Sequence, residues 1–159
     1  MKLYHGSNIE VSVPDLKKSK PYKDFGQGFY LSADRNQAMR MAEQKTLQMQ
    51  EGKPIVSEFE FDETLLTCGE LNVKTFNEYS QEWAEFILGN RDIKRKHPIH
   101  CYDIVYGPIA DDGVTFQLRR FRAGAISIEE LVKELQYAKG ITFQYFFGTS
   151  LALSKLKRL

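Results

Sequence analysis

Short strand-forming segments, separated by stretches of uneven length, constrain the fold of this 159-residue chain more than any other feature. In residues 54–62 (PIVSEFEFD), Phe59 and Phe61 alternate with Glu58 and Glu60, which is typical of a half-buried strand. Other segments are shorter or more uniformly apolar. The segments predicted as strands are 2–5, 28–32, 54–62, 65–71, 102–109 and 141–147.

Helical patterns lie between these segments without a regular order. A helix is expected from a cap at Ser32 or Asp34 to about residue 50, and Ser127 opens a capping box, Ser-Ile-Glu-Glu. Because strands and helices do not alternate regularly, the pattern predicts an α+β fold rather than a doubly wound α/β fold. We expect one domain over residues 1–159. The further predicted helices are 75–88, 112–121, 128–138 and 150–156.

Composition excludes several classes of protein. The formal net charge is +1, from 22 basic and 21 acidic side chains, which argues against a strongly cationic nucleic-acid-binding protein. No apolar run is long enough to span a bilayer, and residues 1–8 do not resemble a signal peptide. Cys68 and Cys101 are too few for a disulfide framework. We therefore expect a cytoplasmic protein with no membrane partner.

Polar side chains interrupt three of the predicted strands: His5, Tyr30 and Gln144. Gly6 and Ser7 follow the histidine, and Gly28 and Phe29 precede the tyrosine. A missing side chain lets a ligand approach the backbone, and a tyrosine ring beside exposed amides suits a flat aromatic amide. On these residues alone, the alternative is a set of structural polar groups with partners inside the protein.

The segments LYHGS (3–7) and FGQGFYLSAD (25–34) together resemble the paired signature of the ADP-ribosyltransferase superfamily. The similarity is to its His-Tyr-Glu branch, which includes the poly(ADP-ribose) polymerases and diphtheria toxin. Over nearly its whole length the chain also resembles a small bacterial family of unknown function, DUF3990. That family shows Gly-Pro-x-Ala-Asp-Asp, here residues 107–112, and a late strand carrying glutamine. The resemblance implies a split, mostly antiparallel sheet with flanking helices.

The resemblance also implies NAD as the substrate and no metal. It assigns His5 to a hydrogen bond with a ribose hydroxyl, and the backbone of Gly6 to the nicotinamide carboxamide. Ser7 would help to hold the carboxamide or the adjacent ribose, and Tyr30 would stack on the nicotinamide ring. The residues expected to bind NAD are therefore His5, Gly6, Ser7, Gly28, Phe29 and Tyr30.

The third catalytic element of that branch is a glutamate, and Gln144 stands at the corresponding place in ITFQYFF. A glutamine can hydrogen-bond a ribose hydroxyl, but it supplies no negative charge and no base. With His5, Tyr30 and Gln144 as the catalytic set, the resemblance implies transfer of single ADP-ribose units to a macromolecule, protein or nucleic acid. A role as the toxin of a toxin–antitoxin pair would add an antitoxin partner. The alternatives are a catalytically silent module that binds NAD or ADP-ribose, and an NAD glycohydrolase.

Other charged residues have two interpretations each. Asp111 and Asp112 are either a cap for the next helix or an acidic group that replaces the missing glutamate charge. His97, His100 and Cys101 match no zinc motif. The basic segment 91–96 is interpreted as a solvated loop, with a phosphate or acidic partner as the alternative. The lysines at 17, 18, 20 and 23 either contact a pyrophosphate or are simply exposed.

Overall fold

The computed structural model describes residues 1–138 and 140–159. Its antiparallel strands and interspersed helices confirm the predicted α+β fold. The strands are β1 (Lys2–Ser7), β2 (Phe29–Leu31), β3 (Ile55–Glu60), β4 (Val73–Thr75), β5 (Ile104–Pro108), β6 (Phe143–Phe147) and β7 (Lys157–Arg158). The helices are α1 (Arg35–Met49), α2 (Gln81–Arg91), α3 (Asp112–Arg122), α4 (Ile128–Gln136) and α5 (Ser150–Ser154). None of the helices in these two ranges is long and apolar enough to cross a membrane.

The strands form two sheets that meet at a single point in the described residues. One sheet has the order β1-β3-β7 and is antiparallel throughout. The other has the order β2-β6-β5-β4, in which only the β4–β5 pair is parallel. Tyr4 and Ser32 exchange two backbone hydrogen bonds of 2.8 Å, and this bridge joins β1 to the end of β2. The two sheets diverge beyond it.

Two apolar clusters stabilise this arrangement by burying side chains on either face of the four-stranded sheet. The first packs the sheet against α2, α3 and α4, and its centre is Trp83, which donates its indole N–H to the carbonyl of Pro108 at 3.1 Å. The second lies between the two sheets and α5. Its buried members are Leu3, Phe29, Leu31, Phe59, Phe61, Leu71, Ile104, Tyr145, Phe147 and Ala152.

Helix α1 packs directly on β1 and connects β2 to β3. The side chain of Asp34 caps it by accepting the N–H of Asn36 at 2.8 Å, which confirms one of the two predicted caps. A Cβ on Gly6 would lie only 1.9 Å from the carbonyl oxygen of Ala38. The absence of a side chain at this position therefore sets the distance between helix and strand.

Two of the predicted elements need correction, and two strands were not predicted. The helix expected from residue 75 begins at Gln81, because Ser80 caps it by accepting the N–H of Trp83 at 3.1 Å. The strand predicted over 65–71 is wrong: a 3-10 turn spans Glu63–Leu66, capped by Asp62. Strands β4 and β7 were not predicted, since three and two residues carry too little pattern to recognise.

Candidate active site

The candidate site lies where the two sheets diverge. His5 is on β1, Tyr30 is on β2 and Gln144 is on β6. Tyr30 pairs with Phe146, so the side chains of Tyr30 and Gln144 leave the same face of the four-stranded sheet. The structure therefore places Tyr30 and Gln144 on one face of this sheet, and His5 on the neighbouring strand of the other sheet.

The ring of His5 is held as a neutral imidazole of known orientation. Its Nδ1 lies 2.7 Å from the carbonyl oxygen of Tyr30, and since a carbonyl only accepts, Nδ1 carries the proton. The ring also stacks on Phe29, with centroids 4.3 Å apart. Burial lowers the pKa of His5 from 6.5 to about 4 against the opposing effect of that hydrogen bond, and the ammonium groups of Lys45 and Lys23 lower it further. The Nε2 atom is consequently a free acceptor at neutral pH.

The backbone of Gly6 points to the edge of β1 that faces β2. In a strand, the N–H and C=O groups of residues i and i+2 point to the same edge. Tyr4 uses that edge to bond Ser32, so the corresponding groups of Gly6 also point towards β2. The N–H and C=O groups of Gly6 offer one donor and one acceptor, and a carboxamide has an acceptor oxygen and a donor NH₂ group to match them.

Gly6 and Gly28 lack side chains for a different structural reason from the predicted one. The sequence predicts that these glycines admit a ligand, but α1 occupies the position that a Cβ on Gly6 would take. A Cβ on Gly28 would come within 2.2 Å of the Phe146 ring. Both glycines thus permit close packing inside the protein.

Tyr30 is fixed by its hydroxyl group and partly covered on its ring. The hydroxyl accepts the N–H of Phe25 at 3.0 Å and donates to the carbonyl of Gly26 at 2.8 Å. Burial raises the pKa of Tyr30 well above its ordinary value of 10.0. The ammonium of Lys23 lies over the ring of Tyr30, 4.3 Å from its centroid. Desolvation lowers the pKa of Lys23, although the residue as a whole is exposed.

A carboxylate does lie beside Gln144, and it belongs to Asp24. The Nε2 atom of Gln144 is 3.4 Å from Oδ2 of Asp24, in the loop before β2. Arg91 holds the other oxygen of the same carboxylate through Nε at 2.8 Å and Nη2 at 2.5 Å. Asp111 instead caps α3 by accepting the N–H of Val114 at 2.9 Å, which confirms its interpretation as a cap.

His100 supports the loop that holds Tyr30. Its Nδ1 accepts the N–H of Tyr102 at 3.2 Å, so Nε2 donates to the carbonyl of Phe25 at 2.7 Å. Phe25 in turn donates its N–H to the hydroxyl of Tyr30. Within residues 1–138 and 140–159, no three His, Cys, Asp or Glu side chains are grouped so that they could hold a metal ion.

Cationic groups lie close to β1. The Nζ of Lys45, on α1, lies 3.3 Å from the hydroxyl of Ser7, and its charge lowers the pKa values of both His5 and Lys23. The segment 91–96 is not a simple solvated loop: besides the Arg91 contact, Arg95 donates to the carbonyl of Pro21 at 2.6 Å. Lys45 and Asp24 were not predicted, because neither lies in the two recognised motifs. The contact of Arg91 with Asp24 agrees with the alternative of an acidic partner for segment 91–96.

Comparison with known families places the chain in one of them. The family model described as "Protein of unknown function (DUF3990)" matches residues 1–158. The chain belongs to the DUF3990 family. In this DUF3990 protein the matched region includes β1, β2 and β6, the strands that carry the candidate site. No curated protein matches the sequence.

Proposed function

We propose that this DUF3990 protein is an NAD-dependent mono-ADP-ribosyltransferase. The observation that carries the proposal is the Tyr4–Ser32 bridge, which brings His5 and Gly6 on β1 beside Tyr30 on β2, with Nδ1 of His5 2.7 Å from the carbonyl oxygen of Tyr30. These are the groups that the resemblance to the His-Tyr-Glu branch assigns to NAD. Their chemistry fits a ribose hydroxyl, a carboxamide and an aromatic ring respectively.

The proposed reaction breaks the glycosidic bond between nicotinamide and ribose. The bonding electrons leave with nicotinamide, and positive charge develops on the ribose as an oxocarbenium-like centre. A nucleophilic atom of the acceptor then bonds to that carbon and loses its proton to solvent. His5 and Gly6 contribute by holding the ribose and the carboxamide in the reactive orientation, which lowers the entropic part of the barrier.

Lys23 and Lys45 supply charge for the pyrophosphate of NAD. Both ammonium groups lie close enough to His5 to lower its pKa. Since Lys23 rests on the ring of Tyr30 in the free protein, NAD binding moves its ammonium from the ring to a phosphate. This rearrangement exposes the tyrosine ring for nicotinamide.

A catalytically silent NAD-binding module is the second candidate. The neutral Gln144 and the ammonium over Tyr30 both favour it, because neither promotes cleavage of the glycosidic bond. An NAD glycohydrolase would use the same site with water as the acceptor. A macromolecular acceptor, and an antitoxin that binds the protein, are partners under the transferase proposal alone.

Labelled NAD separates these candidates. The purified protein is incubated with a bacterial lysate and NAD labelled in the adenylate phosphate, and free nicotinamide is measured by chromatography. His5→Ala tests the site, and His97→Ala, at an exposed histidine, is the matched control. Label on a macromolecule that disappears only with His5→Ala supports the transferase. Nicotinamide release without label supports the glycohydrolase, and NAD binding without release supports the silent module.

A further inference from the structure

The two oxygens of the Asp24 carboxylate have different partners. Oδ1 accepts both contacts from Arg91, through Nε at 2.8 Å and Nη2 at 2.5 Å. Oδ2 accepts the N–H of Ala110 and the Nε2 of Gln144, each at 3.4 Å. The side chain of Asp24 is only 16% exposed, so water competes weakly for these contacts. The carboxylate is thus fixed from α2, from β6 and from the residues after β5.

This arrangement determines which end of the Gln144 amide faces Asp24. A glutamine amide has a donor end and an acceptor end of similar size, and it can rotate to suit its neighbours. An ionised carboxylate only accepts hydrogen bonds, so the Nε2 end turns to Asp24. The Oε1 end then points away from Asp24 and remains available as an acceptor.

We propose that Asp24, held by Arg91, is a positioning residue that keeps Oε1 of Gln144 available to the NAD ribose. The inference rests on the proposed function of the site. An oriented amide oxygen can accept a hydrogen bond from the ribose 2′-hydroxyl as a glutamate oxygen would. Because Arg91 pairs with Asp24, the two charges largely cancel, and orientation is the larger contribution of Asp24.

Exchange of the two groups tests the proposal. In Asp24→Asn, the introduced amide can donate to Gln144 and turn Oε1 away from the ribose. In Gln144→Glu, two carboxylates face each other and repel. In the double variant D24N/Q144E, the amide at position 24 donates to a carboxylate at position 144, which again presents an oxygen to the ribose.

The expected result is a rescue in steady-state NAD cleavage. Each single variant lowers kcat at least about tenfold while KM stays within about threefold, and the double variant returns to within about threefold of wild type. Glu134→Gln removes an exposed carboxylate on α4, outside this network, and leaves kcat unchanged. An unchanged kcat in Asp24→Asn, an equal loss in Glu134→Gln, or a double variant no better than the product of the single losses would overturn the proposal.

A second measurement needs no variant and no turnover. In the wild-type protein, NMR should show slower solvent exchange of the Gln144 side-chain amide protons than of those of the exposed Gln48. Equal exchange rates overturn the orientation by Asp24. If exchange is slow but wild type releases no nicotinamide, the proposed enzymatic function fails while the orientation of Gln144 stands.

Discussion

His5 donates from Nδ1 to the carbonyl oxygen of Tyr30 at 2.7 Å. This side-chain hydrogen bond replaces the backbone hydrogen bond that a regular strand pair would make there. After the Tyr4–Ser32 bridge, an uninterrupted antiparallel ladder would continue with Gly6 opposite Tyr30. The histidine instead occupies the Tyr30 carbonyl. The backbone of Gly6 is thereby left without its ladder partner on β2.

The buried neutral state of His5 predicts a loss of stability in acid. The pKa is about 4 in the folded protein and 6.5 in the unfolded chain, so the unfolded state binds more protons between these values. Stability contributed by His5 is present above pH 6.5 and is lost as the pH falls toward 4. Between about pH 7 and pH 5 the free energy of unfolding should fall by about 2 kcal/mol, measured by urea denaturation.

His5→Asn is the control for this prediction, because its amide can donate to the Tyr30 carbonyl but does not titrate in this range. It should remove most of the decrease that wild type shows. An equal decrease in both proteins would mean that other groups, such as His100, cause the acid sensitivity.

Tyr30→Phe isolates the structural role of the hydroxyl. The change keeps the ring but leaves the N–H of Phe25 and the carbonyl of Gly26 without their partner. We expect a loss of about 1 to 2 kcal/mol in the free energy of unfolding. NAD affinity, measured by calorimetry, should fall much less than in Tyr30→Ala; equal losses would show that the ring does not contact NAD.

Lys45→Ala should weaken NAD binding by about fivefold at low salt and less at high salt, since an exposed ammonium acts on the pyrophosphate through a screened interaction. Binding of nicotinamide alone, which has no phosphate, should not change. Lys133→Ala, on α4, is the matched control. A similar loss for nicotinamide and NAD in calorimetric titrations would contradict a pyrophosphate role for Lys45.

Gly6→Ala should destabilise the protein by about 3 kcal/mol or more, because the new Cβ would collide with the carbonyl of Ala38 at 1.9 Å. Gly113→Ala is the contrasting control: its Cβ would meet only Asp111 Oδ1, at 3.5 Å, and α3 should gain up to about 1 kcal/mol. Thermal unfolding of both variants checks the pair. A stable Gly6→Ala protein would show that α1 can move away from β1.

Local patterns predicted most of the fold, and long-range packing explains the errors. Phe76 and Tyr79 have helical spacing with Trp83, and both are buried. They nevertheless lie in the connection between β4 and α2, because the helix begins only after its cap, Ser80. Residues 65–71 are apolar enough for a strand, yet Asp62 caps a 3-10 turn there. Helix and strand propensity predicted the type of the long elements, while capping residues set where the helices begin.

The sequence predicted only those residues of the candidate site that lie in a recognisable segment. His5, Gly6 and Tyr30 lie in two recognisable segments, and Gln144 lies in a strongly strand-forming one. Asp24 precedes the second segment directly, but its partners Arg91 and Gln144 are distant in sequence. No local pattern distinguishes such a carboxylate from an exposed one.

The order of strands also determines how late in synthesis the residues of the candidate site can come together. β6 lies between β2 and β5, so β2 has no partner in its sheet until residues 143–147 have been synthesised. Such distant pairing makes this part of the sheet a late product of folding. Residues 24 to 144 must all have left the ribosome before Gln144 can reach the loop of Asp24.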